Sequence, residues 1–217
     1  MERWLVSGIG TDVGKTVVSA VLSVAWGADY WKPVQTGARS LSGEDDSGDS
    51  DRITVHQLTE GLVRCHREVY AFPRPVSPDA AAASAGVTIS MAMIAAACPE
   101  TDGPLIIEGA GGLLVPLSSD AVIADLAPLL GASIVLVSRH YLGSINHTLL
   151  SVSYLRSRGL SVAGIVFVGD EHPETERSIQ CFTDVPVLGR VPWMERLTPA
   201  AIRESATLFA SRSSDHH

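Results

Sequence analysis

Lysine is scarce in this sequence, since Lys15 and Lys32 are the only two, against fourteen arginines. A GC-rich genome would explain the scarcity, because it favours arginine codons. It would not explain why each lysine lies in a short segment that also carries glycine and hydroxyl side chains. The lysine ammonium is a compact point charge with three donors, which suits contact with phosphate oxygens. Both lysines are therefore candidate functional residues.

Positive charge is also in short supply overall, because the formal net charge is −8 at pH 7. A nucleic-acid partner demands a basic surface, so this charge balance argues against nucleic acid as the main partner.

Cysteines are few, and long hydrophobic runs are absent. Cys65, Cys98 and Cys181 are widely spaced and match no metal or redox motif, so they indicate reduced thiols. The apolar runs are too short to span a bilayer, and the first predicted strand starts almost at Met1, which leaves no room for a signal peptide. We expect a cytoplasmic protein with no membrane partner.

Apolar side chains are abundant. Hydrophobic residues make up 46% of the chain and charged residues 18%, which is enough for a sizeable core. We expect one α/β domain over residues 1–217. The low-complexity stretch Ser40–Asp51 predicts a mobile acidic loop at about residues 40–50, and residues 212–217 are expected to be a disordered tail.

The segment Gly8-Ile9-Gly10-Thr11-Asp12-Val13-Gly14-Lys15-Thr16 predicts a phosphate-binding loop, because it joins an apolar strand pattern to a helical one. Glycines let successive N–H groups point inward, and the helix N-terminus adds partial positive charge. Lys15 would then reach the terminal phosphates, and the Thr16 hydroxyl would hold Mg²⁺. Five residues separate Gly8 from Gly14 instead of the usual four, which points to one branch of the phosphate-loop enzymes.

Two further segments carry candidate chemistry. Asp29–Val34 predicts a second strand that ends at a proline. Lys32-Pro33-Val34-Gln35-Thr36-Gly37 lies at the carboxyl end of this strand, which is the edge of a parallel sheet where ligands bind. Gly103–Gly112 predicts an apolar strand that ends in the carboxylate of Glu108, followed by a glycine-rich turn. A buried, unpartnered carboxylate is costly, so Glu108 is a candidate ligand of Mg²⁺ or of its water.

Asp49 and Asp51 precede a helical pattern that begins at Arg52. They either cap that helix and favour its dipole, or one of them is a Mg²⁺ ligand. The spacing does not choose between the two aspartates.

A second helix start follows a glycine turn at Leu142-Gly143-Ser144-Ile145-Asn146-His147-Thr148. Its N-terminus is either a second anion-binding site or an ordinary capped helix.

Strand and helix patterns alternate along the chain, and the strands are near-continuous apolar runs. This predicts a doubly wound, mainly parallel sheet with helices on both faces. Besides those named above, the predicted elements are helices at about Ser90–Ala97, Ala121–Leu130 and Pro199–Ala210 and strands at Ala132–Ser138, Gly164–Val168 and Pro186–Pro192.

Together these segments resemble the dethiobiotin synthetase family of the phosphate-loop NTPases. Four blocks carry the resemblance in the right order: Gly8–Thr16, Lys32–Gly37, Glu108–Gly112 and Leu142–Thr148. The resemblance implies ATP- and Mg²⁺-dependent ring closure of 7,8-diaminopelargonate with CO₂, through a carbamate. It also implies a homodimer whose substrate sites lie at the interface, with the Gly143–Asn146 helix start of the partner subunit binding the diamine's carboxylate.

The resemblance also assigns residue roles. It implies that Lys15, Lys32, Thr11 and Thr36 are catalytic and that Thr16, Glu108 and a loop aspartate, for which we favour Asp51, hold Mg²⁺. Nucleotide binding is assigned to Gly8, Gly10, Thr11, Asp12, Val13, Gly14, Lys15, Thr16, Val17, Gly169 and Pro192. Substrate binding is assigned to Lys32, Thr36, Pro78, Gly111, Val115, Gly143, Ser144, Ile145 and Asn146.

The sequence departs from the family pattern at three positions. Val168-Gly169-Asp170 lacks the asparagine that reads adenine in many members, so other nucleoside triphosphates are open alternatives to ATP. Arg190 lies where an acidic residue is common, and Asp79 replaces a frequent histidine near the diamine pocket.

A ParA/MinD-like ATPase or a nucleotide switch is the alternative function. The ParA/MinD loop carries a second lysine ahead of its glycines, and no lysine precedes Gly14 here. An amidoligase would normally carry a fused glutaminase domain, for which no length remains.

Overall fold

Nine strands and eight α-helices make up the residues that the computed structural model describes, 1–38 and 50–209. The strands are β1 (Arg3–Gly8), β2 (Asp29–Trp31), β3 (Val34–Thr36), β4 (Cys65–His66), β5 (Tyr70–Phe72), β6 (Leu105–Gly112), β7 (Ser133–Arg139), β8 (Val162–Val168) and β9 (Val187–Val191). The helices are α1 (Lys15–Trp26), α2 (Asp51–Leu58), α3 (Pro78–Ser84), α4 (Met91–Ala96), α5 (Leu126–Leu130), α6 (Ser144–Ser157), α7 (Pro173–Thr183) and α8 (Pro199–Thr207).

Seven strands form one parallel sheet in the order β4-β2-β6-β1-β7-β8-β9. The chain starts in the middle, at β1, and winds outward in both directions, so the predicted doubly wound parallel sheet is confirmed. All carboxyl ends of the strands lie at one edge of the sheet, and the loop after β1 is at its centre. That edge is where such sheets bind ligands.

Helices cover both faces of the sheet, as predicted. Alternate strand residues point to opposite faces, so Leu5 packs in one buried cluster with α3, α4, α5, α6 and α7. Its neighbour Val6 packs in the other, with α1, α2 and α8. The two clusters hold the central strands rigidly from both sides.

The second strand, predicted at Asp29–Val34 with its end at a proline, is confirmed but shorter, because the chain leaves the main sheet at Pro33. β2 ends at Trp31, and the Pro33 carbonyl accepts hydrogen bonds from the N–H groups of Val69 at 2.8 Å and Tyr70 at 3.0 Å. Proline has no N–H to continue the ladder. The chain therefore turns aside, and β3 pairs with β5 in a separate two-stranded sheet.

The glycine-rich segment after Glu108 also differs from the prediction. β6 continues through it to Gly112, so Glu108 lies inside the strand, beside Val6 of β1. A side chain at Gly109 would meet Ile123 Cγ2 at 2.6 Å. Gly109 thus lets the strand pass close to Ile123, and Gly111, with a φ of 75°, lies where the register between β6 and β1 shifts.

The predicted helix Ala121–Leu130 is a 3₁₀ turn at Ile123–Asp125 followed by α5, and α7 was not predicted. The predicted acidic loop lies outside the described residues except for Ser50, and so does the 212–217 tail. Within the described residues, no helix combines the length and the hydropathy needed to cross a bilayer.

We expect Leu136→Ala in β7 to lower the free energy of unfolding by about 2–5 kcal/mol, because Leu136 is fully buried in the centre of the sheet. The matched control is Leu62→Ala, whose side chain is 69% exposed and should change the unfolding free energy by less than about 0.5 kcal/mol. Urea denaturation measures both, and equal losses would contradict the central position of β7.

Candidate functional site: a phosphate loop beside a carboxylate pair

The loop between β1 and α1 has the backbone of a phosphate-binding loop. Asp12 and Gly14 adopt left-handed conformations, with φ of 56° and 96°. A side chain at Gly8 would meet Val13 Cγ2 at 2.5 Å and the Gly10 carbonyl at 2.7 Å, so only glycine fits there. The loop therefore curls tightly above β1 and delivers Lys15 and Thr16 to the first turn of α1.

Lys15 folds back over this loop. Its Nζ donates a hydrogen bond to the Gly10 carbonyl at 3.1 Å, and the side chain is buried. Burial lowers the pKa of Lys15, and the nearby Lys32 ammonium lowers it further against the opposing charge of Glu108. An anion placed in the loop would relieve both effects.

Three oxygen atoms from distant parts of the chain converge next to the loop. Thr16 Oγ1 lies 3.0 Å from Asp51 Oδ1 and 3.0 Å from Glu108 Oε1. One hydroxyl proton can serve only one of these two carboxylates. A hard divalent cation prefers such oxygen ligands, so the donor set fits Mg²⁺. Within the described residues, no group of three or more His, Cys, Asp or Glu is placed to hold a metal.

Lys32 connects the two carboxylates. Its buried ammonium forms an ion pair with Asp51 and a second one with Glu108, in which Nζ lies 3.0 Å from Oε1. Burial by itself would lower the pKa of Lys32, but the charges of Glu108 and Asp51 outweigh it and raise that pKa. Burial opposes ionisation of Asp51 as well, and the Lys32 charge, with hydrogen bonds from Lys32 and Thr16, lowers its pKa.

Two supporting side chains, Tyr30 and Gln35, were not predicted from the sequence. The Tyr30 hydroxyl donates to Glu108 Oε2 at 3.0 Å, and Gln35 Oε1 accepts from the Asp51 N–H at 3.2 Å. Burial raises the pKa of Tyr30, and the Glu108 charge adds to this, so the phenol stays a donor. Gln35 lies inside the predicted Lys32–Gly37 segment, but nothing in the sequence indicated that Tyr30 would face Glu108.

A cavity of about 890 Å³ runs along this edge of the sheet and brings most of the predicted residues together. Its lining includes Thr11, Asp12, Val13, Gly14, Lys15, Thr16, Val17, Lys32, Thr36, Asp51, Pro78, Glu108, Gly111, Val115 and Pro192. Gly8, Gly10 and Gly169 do not line it, although Gly8 and Gly10 shape the loop.

The start of α6 does not line this cavity, since Gly143, Ser144, Ile145 and Asn146 are not among its lining residues. Gly143 has a φ of 105°, and no side chain caps the helix. Leu142 beside it is fully exposed. Within one chain, these residues do not complete the site.

Side chains at the other end of the cavity were not predicted. Arg139, Trp193, Met194 and Leu197 line it there, together with Val168 and Val191. Arg139 is the last residue of β7, so its position at the carboxyl edge was a signal that the sequence analysis could have used.

The positions that depart from the family pattern have clear structural roles. Arg190 Nη1 donates to the carbonyls of Gly169 at 3.2 Å and Asp170 at 2.9 Å, and its guanidinium pairs with Glu176. Arg190 thus ties the loop after β8 to β9. Asp79 accepts a hydrogen bond from the Ser77 hydroxyl at 2.5 Å in the first turn of α3.

The fold and the loop define a P-loop NTPase. Solved structures with the same fold include a ParA family ATPase from Chlorobium tepidum, with a TM-score of 0.54, 12% identity, and coverage of 96% of this chain and 90% of that chain. MinD from Pyrococcus horikoshii, complexed with Mg-ADP, has a TM-score of 0.51 at 22% identity and covers 97% of this chain and 89% of that chain. At these identities the likeness shows the fold alone.

Sequence relatives are more specific. A family model described as an AAA domain matches residues 2–201. The chain is 44% identical over 212 residues to the ATP-dependent dethiobiotin synthetase BioD of Christiangramia forsetii, covering 97% of each chain. It is also 44% identical over 217 residues to BioD of Cytophaga hutchinsonii, covering 100% of this chain and 98% of that one. The chain belongs to the dethiobiotin synthetase family, which is the enzyme family that its sequence motifs predicted.

We expect Tyr30→Phe to lower the free energy of unfolding by about 1–3 kcal/mol, because it removes a donor from the buried Glu108 carboxylate. Tyr154→Phe is the control, since the Tyr154 hydroxyl accepts an exposed hydrogen bond from Arg158 at 2.7 Å. Chemical denaturation compares the two, and an unchanged unfolding free energy in Tyr30→Phe would show that Glu108 does not need this donor.

Proposed function

We propose that the protein closes the ureido ring of dethiobiotin from 7,8-diaminopelargonate, CO₂ and ATP. The observation that carries this proposal is the Lys32 ammonium, buried between Asp51 and Glu108 within the cavity that the phosphate loop lines. A nucleotide switch has no need of a second buried cation at that position. An enzyme that must hold an anionic carboxylated substrate next to a γ-phosphate does need such a cation.

The chemistry proceeds by bond changes that need no protein nucleophile. One amine of the diamine attacks CO₂ and loses a proton, which forms a carbamate. A carbamate oxygen then attacks the γ-phosphorus, ADP leaves, and a carbamic–phosphoric anhydride results. The second amine attacks the carbonyl carbon and loses a proton, phosphate leaves, and the cyclic urea is closed. Such a sequence depends on positioning and charge neutralisation.

The two lysines supply that neutralisation. Lys15, at the start of α1, holds the terminal phosphates as in other phosphate loops. Lys32 holds the carbamate and the phosphoryl group in transfer. The hydroxyls of Thr11 and Thr36 line the same cavity and help to orient carbamate and phosphate.

Mg²⁺ would be held by Thr16, Asp51 and Glu108, whose oxygens converge beside the loop. When bound there, it supplies charge that neutralises the triphosphate. Lys32 and Tyr30 keep the two carboxylates oriented toward this point, with hydrogen bonds of 3.0 Å to Glu108 from each.

The diamine would lie at the end of the cavity that Pro78, Gly111 and Val115 line. We propose that its carboxylate is bound by the α6 start, Gly143–Asn146, of a partner subunit in a homodimer. The exposure of Leu142 and Tyr141, 103% and 43%, supports an interface at that end of α6. We also propose that the protein is cytoplasmic.

The direct test is phosphate release by the purified chain with Mg-ATP and bicarbonate, with and without 7,8-diaminopelargonate. We expect release to depend on the diamine and labelled bicarbonate to enter a stable cyclic urea. Release that ignores the diamine would contradict the proposal and favour a ParA/MinD-like ATPase or a switch.

The two lysines give a matched pair of variants. We expect Lys32→Ala to keep nucleotide binding and to lower the ring-closure rate at least about 100-fold, because it removes charge needed in the transition state. Lys15→Ala should instead weaken nucleotide binding itself. Calorimetric titration with a nucleotide and a ring-closure assay separate the two effects, and a fully active Lys32→Ala would refute the role of Lys32.

The metal ligand is tested by a Mg²⁺ titration of activity. We expect Asp51→Asn to raise the Mg²⁺ concentration at half-maximal activity by at least about tenfold, because the amide removes a charged ligand oxygen. Asp49→Asn, outside the described residues, is the control and should have a smaller effect. The reverse order would transfer the ligand role to Asp49.

A further inference from the structure

The cavity has a polar end, where Lys32, Asp51 and Glu108 meet, and an apolar end. At the apolar end, the Arg139 guanidinium carbon lies 4.7 Å from the centre of a Trp193 ring. The reacting groups of the proposed function would meet at the polar end. There the Lys32 ammonium is needed twice, by the two carboxylates and by the substrate.

The hydrogen bonds of Lys32 do not allow it to meet both needs at once. An ammonium group has three N–H donors. One donor of Lys32 points to the Asp51 carboxylate and a second one to the Glu108 carboxylate. The donor that remains cannot hold a carbamate oxygen and a phosphoryl oxygen together. Lys32 therefore has to leave at least one carboxylate before it can act on the substrate.

The carboxylate oxygens that bind Lys32 are also the candidate Mg²⁺ ligands. Glu108 Oε1 lies 3.0 Å from Lys32 Nζ and 3.0 Å from Thr16 Oγ1. Asp51 faces Lys32 with Oδ2, and its Oδ1 lies 3.0 Å from Thr16 Oγ1. An ammonium and a divalent cation that share these oxygens repel each other at short range. Lys32 and Mg²⁺ therefore compete for the same carboxylate pair.

The charge balance of the site shows what this competition achieves. Asp51 and Glu108 carry two negative charges, of which Lys32 neutralises one, whereas a divalent cation neutralises both. Lys32 is then left without a counter-ion, as is Lys15, whose Nζ donates to the uncharged Gly10 carbonyl. Two unbalanced ammonium groups that line one cavity favour the anionic triphosphate and carbamate.

We propose that Lys32 is an exchangeable counter-ion, which neutralises Asp51 and Glu108 while they hold no metal and turns to the carbamate and the phosphoryl group once they bind Mg²⁺. The proposal rests on the proposed function in taking a carbamate as the group that Lys32 reaches. The exchange itself concerns only the metal, the ammonium and the two carboxylates. It couples metal binding to the arrival of a positive charge at the reacting atoms.

Metal affinity without nucleotide tests the competition. Electron paramagnetic resonance measures the binding of Mn²⁺, which takes the same oxygen ligands as Mg²⁺, to the full chain, Lys32→Met and Lys15→Met. We expect Lys32→Met to bind Mn²⁺ at least about tenfold more tightly than the parent, because it removes the competing cation. Lys15→Met is the matched control. It deletes an equal charge whose hydrogen-bond acceptor is a carbonyl, so it should tighten Mn²⁺ binding by less than about threefold.

Because Lys15 and Lys32 are the only lysines, the exchange can also be followed in the parent protein. Lysine labelled with ¹⁵N at Nζ gives two side-chain signals in magnetic resonance spectra, and Lys15→Arg assigns them. We expect a sharp Lys32 signal without metal, because its buried ion pairs slow proton exchange with water. This signal should shift or broaden when Mg²⁺ and ADP are added, whereas ADP without Mg²⁺ should change the Lys15 signal alone. ADP is used because it carries no γ-phosphate for Lys32 to bind.

Several results would overturn the exchange. These are unchanged or weaker Mn²⁺ binding in Lys32→Met, equal tightening in Lys15→Met, or a Lys32 signal that does not respond to Mg²⁺ with ADP. If Lys32→Met does not fold, the spectra of the parent protein decide. Failure of the proposed function is distinguishable, because the response of Lys32 to the metal would persist while phosphate release ignored the diamine.

Discussion

The carboxylate of Glu108 is the group on which the rest of the site depends. It lies in the middle of a central strand and is 1% exposed. A buried charge of this kind is tolerated only when it is paired and hydrogen-bonded. The Glu108 carboxylate accepts hydrogen bonds from the Tyr30 hydroxyl, the Lys32 ammonium and the Thr16 hydroxyl, each at 3.0 Å.

Those three partners belong to different elements, and their hydrogen bonds to one carboxylate fix their relative positions. Tyr30 belongs to β2, Lys32 to the turn after it, and Thr16 to the first turn of α1. Asp51, at the start of α2, joins the group through Lys32 and Thr16. Contacts within the chain therefore hold the phosphate loop, the candidate metal ligands and the second lysine together, and preorganisation of this kind is what phosphoryl transfer requires.

The parallel sheet explains why such a group can exist at all. Strands of one direction bring their following loops to a single edge, and β1 lies between β6 and β7 at the centre. The polar end and the apolar end of the cavity arise from loops on opposite sides of β1. The polar side receives the turn after β2, and the apolar side receives Arg139 of β7 and Trp193 after β9.

The sequence by itself determined the class of fold, the phosphate loop, the family and most of the residues around the loop. These follow from local patterns, since apolar alternation, glycine spacing and a lysine before a hydroxyl are read within a few residues. Tertiary structure alone decided that β3 pairs with β5 outside the main sheet, that Glu108 lies within β6 and that Tyr30 supports it. It also decided that Arg139 lies over Trp193. Each of these depends on contacts between residues far apart in the chain, which strand order and register create and which no local pattern encodes.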